Sequence, residues 1–301
     1  MPSSIVRPVV RSALFVPANR ASWIDKAPGY GADALVLDLE DATPPDEKEA
    51  ARGIVAERLA GLADQGQVVW VRVNEPDSED LLPDLAAVCR AGLGAVCVPK
   101  VASAEQIVEI DREISYNEGA NGVPLGTIGI MPLLETALGM VSALEVFRAS
   151  PRVAYAGALA AAGADVQHAL GYRWSEDFFE SVTLRAHGLM ASRAAGVFNP
   201  VTGLVASLDV DEVRRFAEQN RGLGYEGMLV IHPTHVPIVN EVFSPSVEEV
   251  AWAEDVLERY AAAESEARGA IVGSDGAMID RAHVRTAEEI IERHRLVAAK
   301  S

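Results

Sequence analysis

Eight short apolar runs recur through roughly the first 235 residues: ALFVPA from Ala13, ALVLDL from Ala34, VVWVRVN from Val68, AVCVPK from Ala95, TIGIMPLLE from Thr127, VAYAGAL from Val153, GVFNPV from Gly196 and MLVIHP from Met228. An uninterrupted apolar run reads as a strand buried on both faces, which is the condition of a parallel sheet covered by helices. Longer segments of helical period separate the runs. Two of these helices have legible starts, with Ser103 followed by Gln106 and Asp209 followed by Glu212 in the spacing of a capping box. Eight β-α alternations point to a (β/α)8 barrel over a doubly wound sheet, and no dinucleotide fingerprint opens the first βα turn. Gly222, Gly224 and Gly227 do spell G-x-G-x-x-G, but they follow a helix and precede a strand, so they read as a helix C-cap and turn.

Residues 1–240 are expected to form the barrel and residues 241–301 a C-terminal arm or lid. The arm reads as a long amphipathic helix begun by Ser246 with Glu249 and running to about Arg268, a glycine-rich segment from Gly269 to Asp280, and a last helix ending near Ala299. A formal charge of −18 repels phosphate backbones and anionic lipid, so no nucleic-acid or membrane partner is expected. The N-terminus lacks the apolar core of a signal peptide, and a cytoplasmic enzyme is the expectation. Cys89 and Cys97 lie in apolar surroundings and read as buried thiols.

The strands end in polar residues: Asn19 and Arg20; Asp38, Glu40 and Asp41; Arg72 and Asn74; Lys100; Glu135; Asp165; Asn199; His232. In a barrel these converge on the C-terminal face, where the active sites of this architecture lie. Glu135 and Asp165 offer two hard oxygen ligands with Arg72 and Lys100 nearby, a balance that suits Mg²⁺ completed by water and substrate oxygens. Zinc is disfavoured, because no Cys and His cluster has ligand spacing. The planar fork of Arg72 fits a substrate carboxylate, although a structural ion pair would also place it there. Lys100 is read either as a Schiff-base lysine or as the partner of an acid. The lesser alternative for Asp165 is a turn acid. His232 reads as a rim hydrogen-bonding group or a base, while His168 and His187 look helical and structural.

The series LFVPANR, LVLDLEDA, Lys48 with Ala51 and Arg52, VRVN, VPKV, LLET, IHP and DGAMID runs in one order from the first strand to the last thirty residues. In that order it resembles the citrate lyase beta-subunit-like family, whose members include malyl-CoA and citramalyl-CoA lyases. The resemblance implies a (β/α)8 barrel that makes or breaks a C–C bond in a 3-hydroxyacyl-CoA bearing a carboxylate on its hydroxyl carbon, yielding an acyl-CoA and a 2-oxo acid. It implies that Glu135 and Asp165 hold Mg²⁺, that Arg72 stabilises the reacting oxygen and the carboxylate, and that Phe15, Arg20 and Lys48 lie near the CoA entrance. Asp38, Glu40, Asp41 and Lys100 then form a supporting shell. Asp280 would reach the site of a neighbouring subunit and move the acetyl proton, which requires an oligomer, a homotrimer or hexamer; read from the residues alone, it is a helix cap.

The chain departs from the family pattern at Ala18, at the alanine-rich stretch before Asp165 and at Phe198–Pro200, where the family often shows aspartate-proline. Two other readings stay open: a metal-dependent aldolase on free 2-oxo acids, which would leave Arg20 and Lys48 without phosphate partners, and a non-catalytic subunit of a lyase complex.

Overall fold

Eight parallel strands close into a barrel in sequence order: β1 (Ser12–Pro17), β2 (Ala34–Asp38), β3 (Val68–Arg72), β4 (Ala95–Val98), β5 (Gly129–Leu134), β6 (Tyr155–Ala158), β7 (Asn199–Thr202) and β8 (Gly227–Val230). The structure is a computed structural model that describes residues 7–158, 160–265, 271–272 and 278–299. Helices follow the strands: α1 (Ala21–Lys26), α2 (Lys48–Asp64), α3 (Leu81–Val88), α4 (Ala104–Ala120), α5 (Ala137–Val141), α6 (Ala143–Arg148), α7 (Asp165–Leu170), α8 (Phe179–Ala195), α9 (Val210–Leu223) and α10 (His235–Val242). The (β/α)8 barrel read from the sequence is therefore the fold. Its interior is filled by Val36, Trp70, Met131, Leu133, Leu229 and their neighbours, and Trp70 stacks on Tyr155 with ring centroids 4.4 Å apart. Cys97 belongs to this packing, Cys89 is likewise buried, and burial pushes both thiols well above their usual pKa.

Register decides which strand ends meet. Asp38 of β2 pairs with Arg72 of β3, and Arg72 with Cys97 of β4. Neighbouring residues in a parallel pair point to the same face, so this register brings Asp38 and Arg72 side by side at the carboxyl rim.

Closure depends on two close backbone approaches. A Cβ on Gly157 would stand 2.2 Å from Val201 O, and one on Gly227 would stand 2.1 Å from Val10 O. Gly224, with φ of 110°, ends α9 as the left-handed cap, so the glycines of the G-x-G-x-x-G sequence serve turn and closure.

Two expectations shift. GVFNPV is not one strand: Gly196 (φ 77°) caps α8, the Val197 N–H donates to Ser192 O, and β7 starts only at Asn199. Asn199 therefore stands at the amino end of its strand, where it accepts from Val10 N (3.0 Å) and donates to Val10 O (3.1 Å). It is a rivet of the opposite rim and no part of the active face. The capping box at Ser103 and Gln106 is present, whereas Asp209 makes a one-sided cap by accepting from Asp211 N.

The chain divides into two units, Met1–Glu241 and Val242–Ser301. In the second, α11 (Val247–Ser265), a two-stranded antiparallel pair β9 (Ile271–Val272) and β10 (Met278–Ile279), and α12 (Arg281–Ala298) surround a small core of Ala253, Val256, Ile279 and Ala287. Ser246 and Glu249 exchange the two hydrogen bonds of a capping box at the start of α11. The expected end of that helix near Arg268, and Gly269–Ala270 and Gly273–Ala277 of the glycine-rich segment, lie outside the described residues. Among the described residues, no helix is long and apolar enough to cross a membrane.

Candidate active site

At the carboxyl rim a chain of opposite charges crosses from β2 to β5. Asp38 grips Arg72 with both oxygens, accepting from Nε at 2.7 Å and Nη2 at 2.6 Å. Nη1 of Arg72 stands 2.9 Å from Glu40 Oε2, and Nζ of Lys100 stands 2.9 Å from the other oxygen of the same carboxylate. The Lys100 N–H donates to Glu135 Oε2 at 3.1 Å. Phe15 of β1 covers the guanidinium, its ring centroid 4.9 Å from Cζ. Each group sits where an apolar strand stops and the chain turns outward.

Burial would lower the Arg72 pKa, but the hydrogen bonds and charge of Asp38 outweigh it and raise it, so the guanidinium is locked in its charged form. Lys100 behaves alike: burial pulls its pKa down, and Glu40 holds it above its ordinary value. A lysine so held is a charged partner of an acid and a poor nucleophile, which removes the Schiff-base reading. Glu40 and Glu135 are instead pushed up, both first by burial. Glu135 rises to about 7, with Glu40 and Asp165 adding to the effect and Arg72 and the Lys100 N–H opposing it.

Two cavities meet over Arg72. The smaller, about 250 Å³, is lined by Glu135 and Asp165 together with Phe15, Asp41, Arg72 and Leu204. The larger, about 630 Å³, shares Phe15, Asp41, Arg72 and Leu204 and extends past Trp23, Lys26, Tyr30 and His232. The first has a mixed lining, with charged groups beside apolar ones, and is of a size for a small acid; the second is a mainly apolar channel.

Glu135 and Asp165 line the smaller cavity together, and two carboxylates with open positions beside them are a donor set that Mg²⁺ accepts. Among the described residues no group of three or more His, Cys, Asp or Glu gathers as a metal cage, and none of the ion pairs of those residues joins Glu135 to a cation. Arg72 is occupied by Asp38 and Glu40, and Glu135's raised pKa reflects a buried carboxylate short of positive charge.

Of the other residues singled out in the sequence, Lys48 bonds Asn74 Oδ1 and stands 3.7 Å from Asp80, and Arg20 is exposed at the start of α1; the lining of neither cavity includes them. Asp280 belongs to the second unit, where it caps α12 by accepting from Ala282 N (2.8 Å) and pairs with His283 Nδ1 (2.8 Å). His168 and His187 are helical, and His187 Nε2 meets Met140 O at 2.8 Å. Sequence reasoning passed over Trp23, Lys26 and Tyr30 because they lie in the β1–β2 connection, away from any strand end. Their one signal is exposed aromatic surface, Trp23 at 57% and Tyr30 at 44%.

Residues 11–233 match the sequence pattern described as HpcH/HpaI aldolase/citrate lyase. The chain belongs to that family. Among its relatives are a citrate lyase subunit beta of Leuconostoc mesenteroides subsp. cremoris, 30% identical over 94% of this chain and 92% of that one, and a (3S)-malyl-CoA thioesterase of Cereibacter sphaeroides, 33% identical over 96% of each chain. A solved structure of the protein CitE from Mycobacterium tuberculosis in complex with magnesium, acetoacetate and coenzyme A superposes with a TM-score of 0.73 at 28% identity, covering 96% of this chain and all of that one. A citrate lyase beta subunit complexed with oxaloacetate and magnesium from M. tuberculosis gives a TM-score of 0.65 at 28% identity over 79% of this chain and 99% of that one. In this member of the HpcH/HpaI family, the residues 11–233 that carry the match hold both cavities and the whole charge chain.

Proposed function

We propose that this protein is a Mg²⁺-dependent carbon–carbon lyase that cleaves, or in reverse forms, a 3-hydroxy-3-carboxy acyl-CoA of the malyl-CoA, citramalyl-CoA or citryl-CoA type, giving an acyl-CoA and a 2-oxo acid. The observation that carries this reading is the meeting of the two cavities at Arg72. A compact polar chamber beside two carboxylates suits the 2-oxo acid half, and a long apolar channel opening from it suits the thioester arm. The ligands of the M. tuberculosis proteins, acetoacetate with magnesium and coenzyme A in one and oxaloacetate with magnesium in the other, support that division.

Glu135 and Asp165 would hold the metal, which supplies Lewis-acid stabilisation of the oxygen that becomes the 2-oxo acid's carbonyl. The protein's own groups do the rest. Arg72, held by Asp38 and Glu40, turns its remaining N–H donors to the substrate carboxylate and to the same oxygen. In the condensation direction the Asp280 carboxylate of a neighbouring subunit takes a proton from the acyl-CoA α-carbon, the enolate carbon attacks the 2-oxo acid's carbonyl to form the C2–C3 bond, the C=O pair becomes the alkoxide, which takes a proton from water, and Asp280 returns its proton to water; cleavage is the reverse. That role makes the second unit an arm and the active protein a homotrimer or hexamer. Asp38, Glu40, Asp41 and Lys100 support this constellation, with Asp41 beside both chambers. Lys26 on the channel wall is the cation best placed for CoA phosphates, ahead of Arg20 and Lys48.

A second reading, hydrolysis of the thioester, is favoured by the 33% identity to the (3S)-malyl-CoA thioesterase. A metal-dependent aldolase on free 2-oxo acids would leave the channel without an occupant.

Calorimetry tests the two-chamber reading. Oxaloacetate or pyruvate is expected to bind only with Mg²⁺ present and to lose that binding in Glu135→Ala, while CoA binds wild type and Glu135→Ala alike and loses affinity in Lys26→Ala. Unchanged metal-dependent binding of the oxo acid in Glu135→Ala would sink the metal assignment.

A further inference from the structure

Glu135 is the one residue between the end of β5 and the Thr136 N-cap of α5, so the ladder of the strand does not by itself set its direction. Two backbone constraints converge on it. Lys100 has φ of 51°, and it and Phe178 are the described non-glycine residues with positive φ, a conformation that costs a residue with a side chain and persists where its surroundings enforce it. At that twist the Lys100 N–H donates to Glu135 Oε2, 3.1 Å away. Two peptides on, the Val101 carbonyl is pressed onto α5: a Cβ on Gly139 would lie 2.1 Å from Val101 O. The Thr136 hydroxyl donates to that carbonyl at 3.4 Å and accepts from Gly139 N at 2.9 Å. The Lys100–Val101 backbone is thus wedged between the ligand carboxylate and the first turn of the helix that follows it, and Lys100 Nζ pins the outer end to Glu40.

We infer that this clamp orients Glu135 for the metal, with Lys100, through its backbone, and Gly139 as positioning residues that touch neither substrate nor ion. A hydrogen bond from a fixed donor to one carboxylate oxygen leaves the other oxygen directed into the chamber, the arrangement by which outer partners tune metal ligands. The inference rests on Glu135 holding Mg²⁺.

The test is Mg²⁺ titration calorimetry on folded full-length variants, joined to the amide resonance of Lys100. Gly139→Ala, which must push the Val101 carbonyl away, is expected to weaken Mg²⁺ binding by about tenfold or more, the scale of lost outer-shell support. Lys100→Gly and Lys100→Val both delete the ammonium, but only valine resists the left-handed conformation. The glycine variant is therefore expected to bind Mg²⁺ at least about fivefold more tightly than the valine variant. The Lys100 amide proton should lie downfield in metal-free wild type and move upfield in Glu135→Gln. Equal Mg²⁺ affinity in folded Lys100→Gly and Lys100→Val, or Gly139→Ala within twofold of wild type, overturns the clamp. Wild type that binds no Mg²⁺ overturns the metal reading instead, and the Lys100 amide then still reports whether the hydrogen bond to Glu135 exists.

Discussion

Arg72 touches Asp38, Glu40, Asp41 and the Phe15 ring at once, and its fork geometry is what engages both oxygens of Asp38 while Nη1 reaches Glu40. A lysine cannot reproduce that fork. Arg72→Lys is expected to stay folded and to lose kcat on the order of 100-fold, the loss typical of a removed oxyanion donor, read by steady-state kinetics beside circular dichroism. Glu135 gives a stability prediction whose sign is opposite to that of a salt-bridged acid. Its folded-state pKa lies above its ordinary 4.5, at about 7, so the carboxyl favours folding fully below pH 4.5, and that contribution is lost as pH rises through about 7. The shift corresponds to about 3 kcal/mol. Metal-free Glu135→Gln should therefore unfold at a higher temperature than wild type at pH 8, and the gap should close at pH 4.5; a gap unchanged by pH would contradict the buried-acid picture. Arg72, Glu135 and Lys100 were legible in the sequence because each stops an apolar run. The contacts of Lys48 with Asn74 and Asp80 join residues distant in the chain, so no local pattern announces them.

At the scale of elements, hydrophobic runs located the strands well, and the misplacement at β7 has a physical cause. Gly196 and Val197 satisfy the last carbonyls of α8, and a helix C-cap followed by apolar residues looks like a strand start. Close packing of β6 on β7 excludes a side chain at Gly157, and no periodicity reports that. Gly227→Ala should cost about 3 kcal/mol through overpacking against Val10, measured by urea unfolding; a smaller loss than that of an exposed Gly61→Ala would contradict the closure role. Arg152, buried with Glu118 and bonded to it through Nη1 (3.0 Å) and Nη2 (2.7 Å), ties α4 to the start of β6. Arg152→Met leaves that carboxylate buried and unpaired, so it should cost about 3–5 kcal/mol with little change in KM.

At the scale of the whole molecule, the barrel carries Glu135, Asp165, Arg72 and both chambers, and the second unit carries Asp280. The barrel was readable from eight alternations, and the exchange of Asp280 between subunits rests on family resemblance, since its local hydrogen bonds are those of a helix cap. Mixed oligomers of Asp280→Ala and Arg72→Ala chains should regain part of the activity that each lacks alone, and proven mixed oligomers without recovery would place Asp280 outside the chemistry. The most direct measurement is product analysis with malyl-CoA, citramalyl-CoA, methylmalyl-CoA and citryl-CoA, with and without Mg²⁺. A Mg²⁺-dependent lyase releases a 2-oxo acid and an acyl-CoA in equal amounts from at least one of them and no free thiol; free thiol without 2-oxo acid, or turnover indifferent to Mg²⁺, would contradict it.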